Sequence, residues 1–323
     1  NISQDDFEIK QWRYEPTAAY GGDKLDEKAL TVTGFALSED RTKAQFKLDG
    51  METDRVLHFR IKSPFVSENN NELWTTEAWY TLNAIPKDLP LAINPNYKLS
   101  HNQLTSNEQK EGWQLLFDGV TLDGLRNYNK QSLGKRWVID DGTLHFSGKS
   151  EDEEGWNASD GGDVVITRAP AENYELYLEW KLQRNGNSGI IYNVKEREDL
   201  QYSFLSGPEM QILDNLGHSD GQIVTHRAGD NYDLIESRFV TVNPPGEWNR
   251  IRLVVNNNKV EHWQNGYKVV DTEMFTPEWD TLIAKSKFAE WPDFAKSPGG
   301  HIVLQDHGDK VWFRNIKIRD LGE

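Results

Sequence analysis

The chain has 323 residues, 37% of them hydrophobic, with 12 tryptophans and no cysteine. Its 52 acidic and 36 basic side chains leave a formal net charge of −16, which repels a phosphate backbone over most of the surface and argues against nucleic acid as a partner. The missing cysteines remove disulfides, thiolate catalysis and zinc–thiolate sites together, and no apolar run approaches the length of a membrane-spanning segment.

The first residues, "NISQDDFEIK", lack the basic and apolar regions of a signal peptide. They read as a mature or trimmed terminus, and a periplasmic or secreted location is expected. "ALTVTGFALS", "KAQFKLDG", "RVLHFRIKS" and "AWYTLNAI" then alternate apolar and polar residues at period two between turn signals. They predict a small antiparallel β-sandwich domain over residues 1–88, with an aromatic core and no chemical constellation. Proline, asparagine and serine replace that periodicity around "LPLAINPNYKLSHNQLTSNEQKEGW", which marks a linker over 89–111. Two domains suit a chain of this length.

Residues 112–323 form the second domain. "YELYLEWKLQ", "GNSGIIYNV", "EMQILD", "NRIRLVVNNN", "KVEHWQNGYKVVD", "HIVLQDHG" and "VWFRNIKIRDL" alternate in the same way, with turns at 184–187 and 256–258, and helical periodicity is hard to find. An all-β architecture follows: a two-sheet jelly roll in which one curved sheet can hold a ligand on its polar face. Within "GPEMQILDN", Met210 and Ile212 point to the core while Glu209 and Gln211 share the opposite face. Glu179 and Lys181 alternate likewise with Leu178, Trp180 and Leu182. A solvated outer face explains such pairs as simply as a binding site does.

The loop "DNLGHSDGQIVTHRAGDNYDLI" adds Asp214, His226, Arg227 and Tyr232. Turn chemistry accounts for much of its Asp, Asn and Gly content, but not for a cationic pair ahead of an aromatic residue. His262 in "EHWQNG" and Gln305 and His307 in "LQDHG" stand at strand ends. Trp156, Trp279 and Trp291 fall outside the strands, where they can rim a cleft and stack on a sugar ring; Trp137, Trp180 and Trp312 alternate as core residues. No HExxH pattern, calcium loop, phosphate loop or dinucleotide fingerprint occurs. No metal site is assigned, and no cofactor is required.

From "EGWQLLFDGVTLDGL" through "WVIDDGTLHFSG", "YELYLEWKLQRNGNSGIIYNV", "GPEMQILDN" and "GEWNRIRLVVNNNKVEHWQNGYKVVD" to "GHIVLQDHGDKVWFRNIKIRDL", the chain resembles the 3-keto-disaccharide hydrolase domain family, over about residues 110–323. The resemblance implies a concanavalin A-like lectin and glucanase fold, and cleavage of glycosides already oxidised at C3. A ketone there acidifies the hydrogen on C2, so a modest base can form an enolate that expels the glycosidic oxygen, after which water adds. On this reading Glu209, Gln211, Glu179 and Lys181 converge in the cleft. Glu209 is the base, Arg227 holds the enolate oxygen and His307 assists the leaving group. Asp214, His226, Tyr232, His262, Gln305 and the three loop tryptophans complete the substrate site. Oxidation at C3 then falls to a separate sugar 3-dehydrogenase. The two carboxylates of a laminarinase-like glucanase are absent: "ETDRV" and "EWDTLI" lack the second Glu. A non-catalytic, lectin-like carbohydrate-binding module remains the alternative.

Overall fold

Antiparallel strands dominate the described part of the structure. The computed structural model describes residues 6–15, 22–37, 44–62, 73, 75–85, 101–168 and 171–322, and the chain divides into two units, Asn1–Ser100 and His101–Glu323. In the first unit, β1 (Phe7–Arg13), β2 (Leu25–Ala29), β5 (Arg55–Ile61) and β6 (Glu77–Leu82) pair in the order β2-β1-β5-β6, and β3 (Thr31–Leu37) pairs with β4 (Ala44–Asp49). Ile9, Leu30, Leu57 and Leu82 form its core, flanked by Phe7, Phe46 and Phe59. "AWYTLNAI" departs from its expected role as an aromatic core end. Trp79 and Tyr80 lie on the edge strand β6 and are 60% and 63% exposed, while Leu82 alone of this run is buried.

The expected linker falls outside the described residues up to position 100. Residues 101–111 belong to the second unit, where Asn102 exchanges hydrogen bonds with Asn315 and donates to the Gly142 carbonyl, followed by the short helix α1 (Ser106–Lys110).

The second unit is a sandwich of two antiparallel sheets. β7 (Gln114–Leu115), β9 (Trp137–Asp140), β10 (Thr143–Phe146), β12 (Tyr174–Leu182), β15 (Asn249–Asn256), β16 (Lys259–Gln264), β17 (Tyr267–Glu273) and β19 (Val311–Asp320) make the larger sheet, in the order β17-β16-β15-β12-β19-β10-β9 with β7 on β19. β8 (Leu125–Asn127), β11 (Val164–Ile166), β13 (Asn187–Val194), β14 (Glu209–Leu213) and β18 (His301–Leu304) make the smaller, in the order β14-β13-β18-β11-β8. Between them Leu176, Leu178, Trp180 and Leu182 of β12 meet Ile190, Tyr192, Met210 and Ile212 of β13 and β14. Burying such side chains contributes roughly 1.5–3 kcal/mol each.

Two turns show how small polar residues direct the chain. Asn257 and Asn258, both at positive φ, close the β15–β16 hairpin with the mirror-image turn that matches strand twist. Asn185, at φ 59°, instead sits where the chain crosses from one sheet to the other between β12 and β13. A helix absent from the sequence expectation, α2 (Pro277–Lys285), follows β17. Thr276 caps it by accepting from the Trp279 N–H, with Pro277 in its first turn. Among the described residues no helix is long and apolar enough to cross a membrane.

Candidate functional site

The smaller sheet has a second face, turned away from the sandwich core. Register sets what stands on it: Ile191 pairs with Glu209 and Val303, and Gly189 pairs with Gln211. Ile191, Val303, Val165, Val194 and Tyr128 form a separate small apolar cluster there, with Phe204 packed against it. Beside that cluster opens a cavity of about 180 Å³. Asn187, Glu209, Gln211, Gln305 and His307 supply its polar lining.

Glu209 is the distinctive group. It is 7% exposed and has no basic hydrogen-bond partner among the described residues; the Gln305 amide stands 3.5 Å from its Oε2, at the limit of a hydrogen bond. Burial pushes its carboxyl up to about 8; the Lys287 charge opposes the rise and Asp163 adds to it. Gly189 makes the space for this side chain: a Cβ there would come within 2.0 Å of Glu209 Oε1.

Lys287, which follows α2, is the cation of the cavity. Its Nζ donates to Tyr232 Oη at 2.9 Å and lies 4.1 Å from the centre of that ring. Although the residue is exposed, desolvation at the ammonium end lowers its pKa. Its backbone N–H is held by Asp233, and Asp233 also engages His226 Nε2 at 2.8 Å. The His226 ring lies 4.2 Å from Tyr232. Tyr232 is therefore fixed from behind by His226 and in front by Lys287.

At the other end His307, kept neutral by burial with a pKa of about 4, lies against Trp156. Its Nε2 is 3.4 Å from the Asn187 amide nitrogen. His218, His307 and Asp309 bring potential ligand atoms within 4.8 Å of one another. Asp309 already accepts from Gln183 and from the Asn187 N–H, and His218 Nδ1 accepts from the Asp220 N–H. A cation would have to share these groups.

The structure thus brings together Glu209, Gln211, Tyr232, Gln305, His307, Trp156 and Trp291 of the residues expected from sequence, with His226 one layer behind. Others lie elsewhere. Glu179 and Lys181 are on β12 of the larger sheet, because alternation sets the face of a strand but not the sheet it joins. Arg314 Nε holds Glu179 at 2.6 Å, and Lys181 sits near the Trp248 and Trp312 rings. Arg227 does not line the cavity, since its Nε donates to the Gly221 carbonyl. Asp214 is a turn residue, accepting from the N–H groups of Asn185, Leu216 and Gly217. His262 is fully buried on β16, bonded to Gly229 O. Trp279 is 1% exposed, in the core beneath α2. Trp312, expected in the core, is half-buried and stacks on His145. Sequence reasoning missed Lys287, Asn187 and the aromatic residues Phe204, Phe288 and Phe294. The run "KSKFAEWPDF" carries a lysine among aromatics, a weak signal by itself.

A two-sheet β-sandwich with a protonatable, aromatic-walled cavity on one sheet provides a ligand site with the means for acid–base chemistry. Comparison with known proteins makes the assignment specific. Residues 112–319 match the model of the 3-keto-alpha-glucoside-1,2-lyase-like domain. A 3-keto-disaccharide hydrolase of Bacteroides thetaiotaomicron is 36% identical over 232 residues, covering 65% of this chain and 79% of that protein. A crystal structure of a Parabacteroides distasonis protein assigned as a glycosyl hydrolase superposes with a TM-score of 0.61 at 31% identity, covering 69% of this chain and all of that one. The chain belongs to the 3-keto-alpha-glucoside-1,2-lyase-like family, and is a carbohydrate-active hydrolase.

Proposed function

We propose that the protein cleaves 3-keto-glycosides, 3-keto-disaccharides among them, by proton abstraction at C2, elimination and hydration. The observation that carries this reading is Glu209, a buried carboxylate whose pKa of about 8 suits removal of a proton made acidic by a neighbouring ketone. Such a carboxylate is a stronger base than an ordinary one, and among the described residues that line the cavity it is the only carboxylic acid, not the pair that direct glycoside hydrolysis uses.

Glu209 takes the C2 proton. Negative charge then develops on the C3 oxygen, where the Lys287 ammonium and the Tyr232 hydroxyl, themselves 2.9 Å apart, offer two donors. This is the role expected of Arg227, now given to the cation that lines the cavity. The enolate expels the glycosidic oxygen, to which neutral His307 hydrogen-bonds while a water molecule protonates it; the hydroxide so formed adds at C1 and Glu209 returns its proton to C2. Gln211 and Gln305 hold ring hydroxyls, and water adds across the double bond. This route starts from a sugar already carrying a ketone at C3, and we assign that oxidation to a separate sugar 3-dehydrogenase. We read the first unit as support for this activity.

One observation favours a metal-assisted version: the grouping of His218, His307 and Asp309 at the cavity. A divalent cation there would act as the Lewis acid beside the sugar, and a loss of rate on chelation, reversed by Mn²⁺ or Ca²⁺, identifies that version.

The test is sugar release from a 3-keto-disaccharide and from its unoxidised parent. Release from the ketone alone is expected. Hydrolysis of the parent at an equal rate would sink the elimination route, and binding without release from either would make the protein a lectin-like module.

A further inference from the structure

The cavity is strongly one-sided. Its floor carries the amides, carboxyl and imidazole described above, whereas one wall is a continuous aromatic surface. Trp156 meets Phe204 at 6.0 Å between ring centres, Phe204 meets Trp291 at 5.9 Å, Trp291 meets Phe288 at 5.0 Å, and Phe288 stacks on Phe294 at 3.9 Å. All five line the cavity. They come from three separate segments, so the wall is assembled by the fold and not by one local motif.

A sugar placed with C2 near Glu209 and O3 near Lys287 occupies the polar floor. The group on its anomeric oxygen must then leave along the wall. A second pyranose there would stack its C–H face on the wall but bring its hydroxyls against side chains whose only polar hydrogens are the two indole N–H groups, with the Tyr202 hydroxyl behind Phe204. Burying hydroxyls without partners costs roughly 1–3 kcal/mol each by protein mutational measures. A planar apolar group pays no such penalty and gains ring–ring contact.

We propose that the favoured substrates are 3-keto-glucosides whose departing group is an aromatic alcohol, with Trp156, Phe204 and Trp291 as specificity-determining residues. The inference rests on the cleavage reading above, and it narrows the leaving group from any alcohol to an aryl-bearing one.

The experiment compares kcat/KM for the 3-keto derivatives of 2-phenylethyl glucoside and of cellobiose with the full chain. 2-Phenylethanol is a less acidic alcohol than a sugar hydroxyl, so intrinsic reactivity favours cellobiose and any preference for the phenylethyl compound reflects the wall. The expected ratio is at least about tenfold toward phenylethyl, falling below about threefold in Trp291→Ala and in Trp156→Ala. Equal or faster cleavage of the cellobiose derivative overturns the proposal and leaves the reaction itself intact.

Cleavage of neither ketone refutes the reaction instead. The wall is then judged by calorimetric binding of the unoxidised 2-phenylethyl glucoside and cellobiose to the same protein. Tighter binding of the phenylethyl compound, lost in Trp291→Ala, supports an aryl-selective wall; equal binding overturns it.

Discussion

Two buried glutamates on the two sheets of one sandwich make opposite use of burial. Glu179, on β12, is 6% exposed, and Glu209, on β14, is 7% exposed. Burial pushes both carboxyls up. For Glu179, the charge and hydrogen bond of Arg314 outweigh that push, and with Tyr177 donating at 3.0 Å its pKa ends lowered. Among the described residues Glu209 has only the Gln305 amide at 3.5 Å and a cavity in front of it, so desolvation prevails. A buried acid becomes a strut when an arginine answers it, and on the proposed mechanism a base when the fold leaves it facing a ligand space.

The comparison breaks most sharply by isosteric substitution. Glu209→Gln keeps size and hydrogen bonding while deleting basicity, so release of sugar from a 3-keto-glucoside should slow at least about a hundredfold in a folded protein that still binds. Parent-level turnover would show that Glu209 is not the base, and that the two glutamates differ in environment alone.

The pH dependence follows in size. On the proposed mechanism activity requires the deprotonated carboxylate, so kcat/KM should climb about tenfold per unit as pH rises toward 8 and then level off. Stability moves the other way. The folded-state pKa of about 8 exceeds the ordinary 4.5, so this group's contribution is complete below about 4.5 and lost as pH rises through 8. Glu209→Gln escapes that loss, and thermal melts of the pair should diverge in its favour between about pH 5 and 9. Curves that stay parallel would mean the carboxyl is not held protonated.

Glu179→Gln should do the converse. It leaves Arg314 unanswered in a buried setting and should cost about 3–5 kcal/mol in denaturant unfolding, while the folded fraction keeps most of its turnover. Catalysis lost with stability unchanged would place Glu179 in the chemistry after all. The smallest effect belongs to Lys287→Ala, expected to lower kcat about tenfold with little change in KM, since its charge matters most once the enolate forms. A change in KM alone would make it a binding residue.

These contrasts also explain what the sequence could convey. Alternation in "GPEMQILDN" was enough to put Met210 and Ile212 in the core and Glu209 and Gln211 on the other face, because side-chain period in a strand is a local property. The same rule applied to "LEWKL" identified the outward side of Glu179 and Lys181 correctly and their neighbourhood wrongly, because the sheet a strand joins is decided by pairings far along the chain. Arg227 drew notice through its neighbour His226, yet its side chain turns to Gly221. Lys287 went unread because it reaches the cavity from 78 positions beyond Glu209, held by Tyr232 and Asp233. Trp279 was legible in principle: Thr276, Pro277 and Glu278 spell a helix start, and a tryptophan on the inner side of such a helix packs inward.

Gly189 carries a consequence for telling active chains from inactive ones. The methyl group of an alanine at that position would occupy the place of the Glu209 carboxylate, so a chain can retain the glutamate and yet be unable to aim it. In sorting relatives of this protein, the residue at the Gly189 position, which pairs with Gln211 across β13–β14, is on the proposed mechanism as informative as the acid itself, and a sequence with Glu at one position and a bulkier residue at the other is expected to bind without turnover.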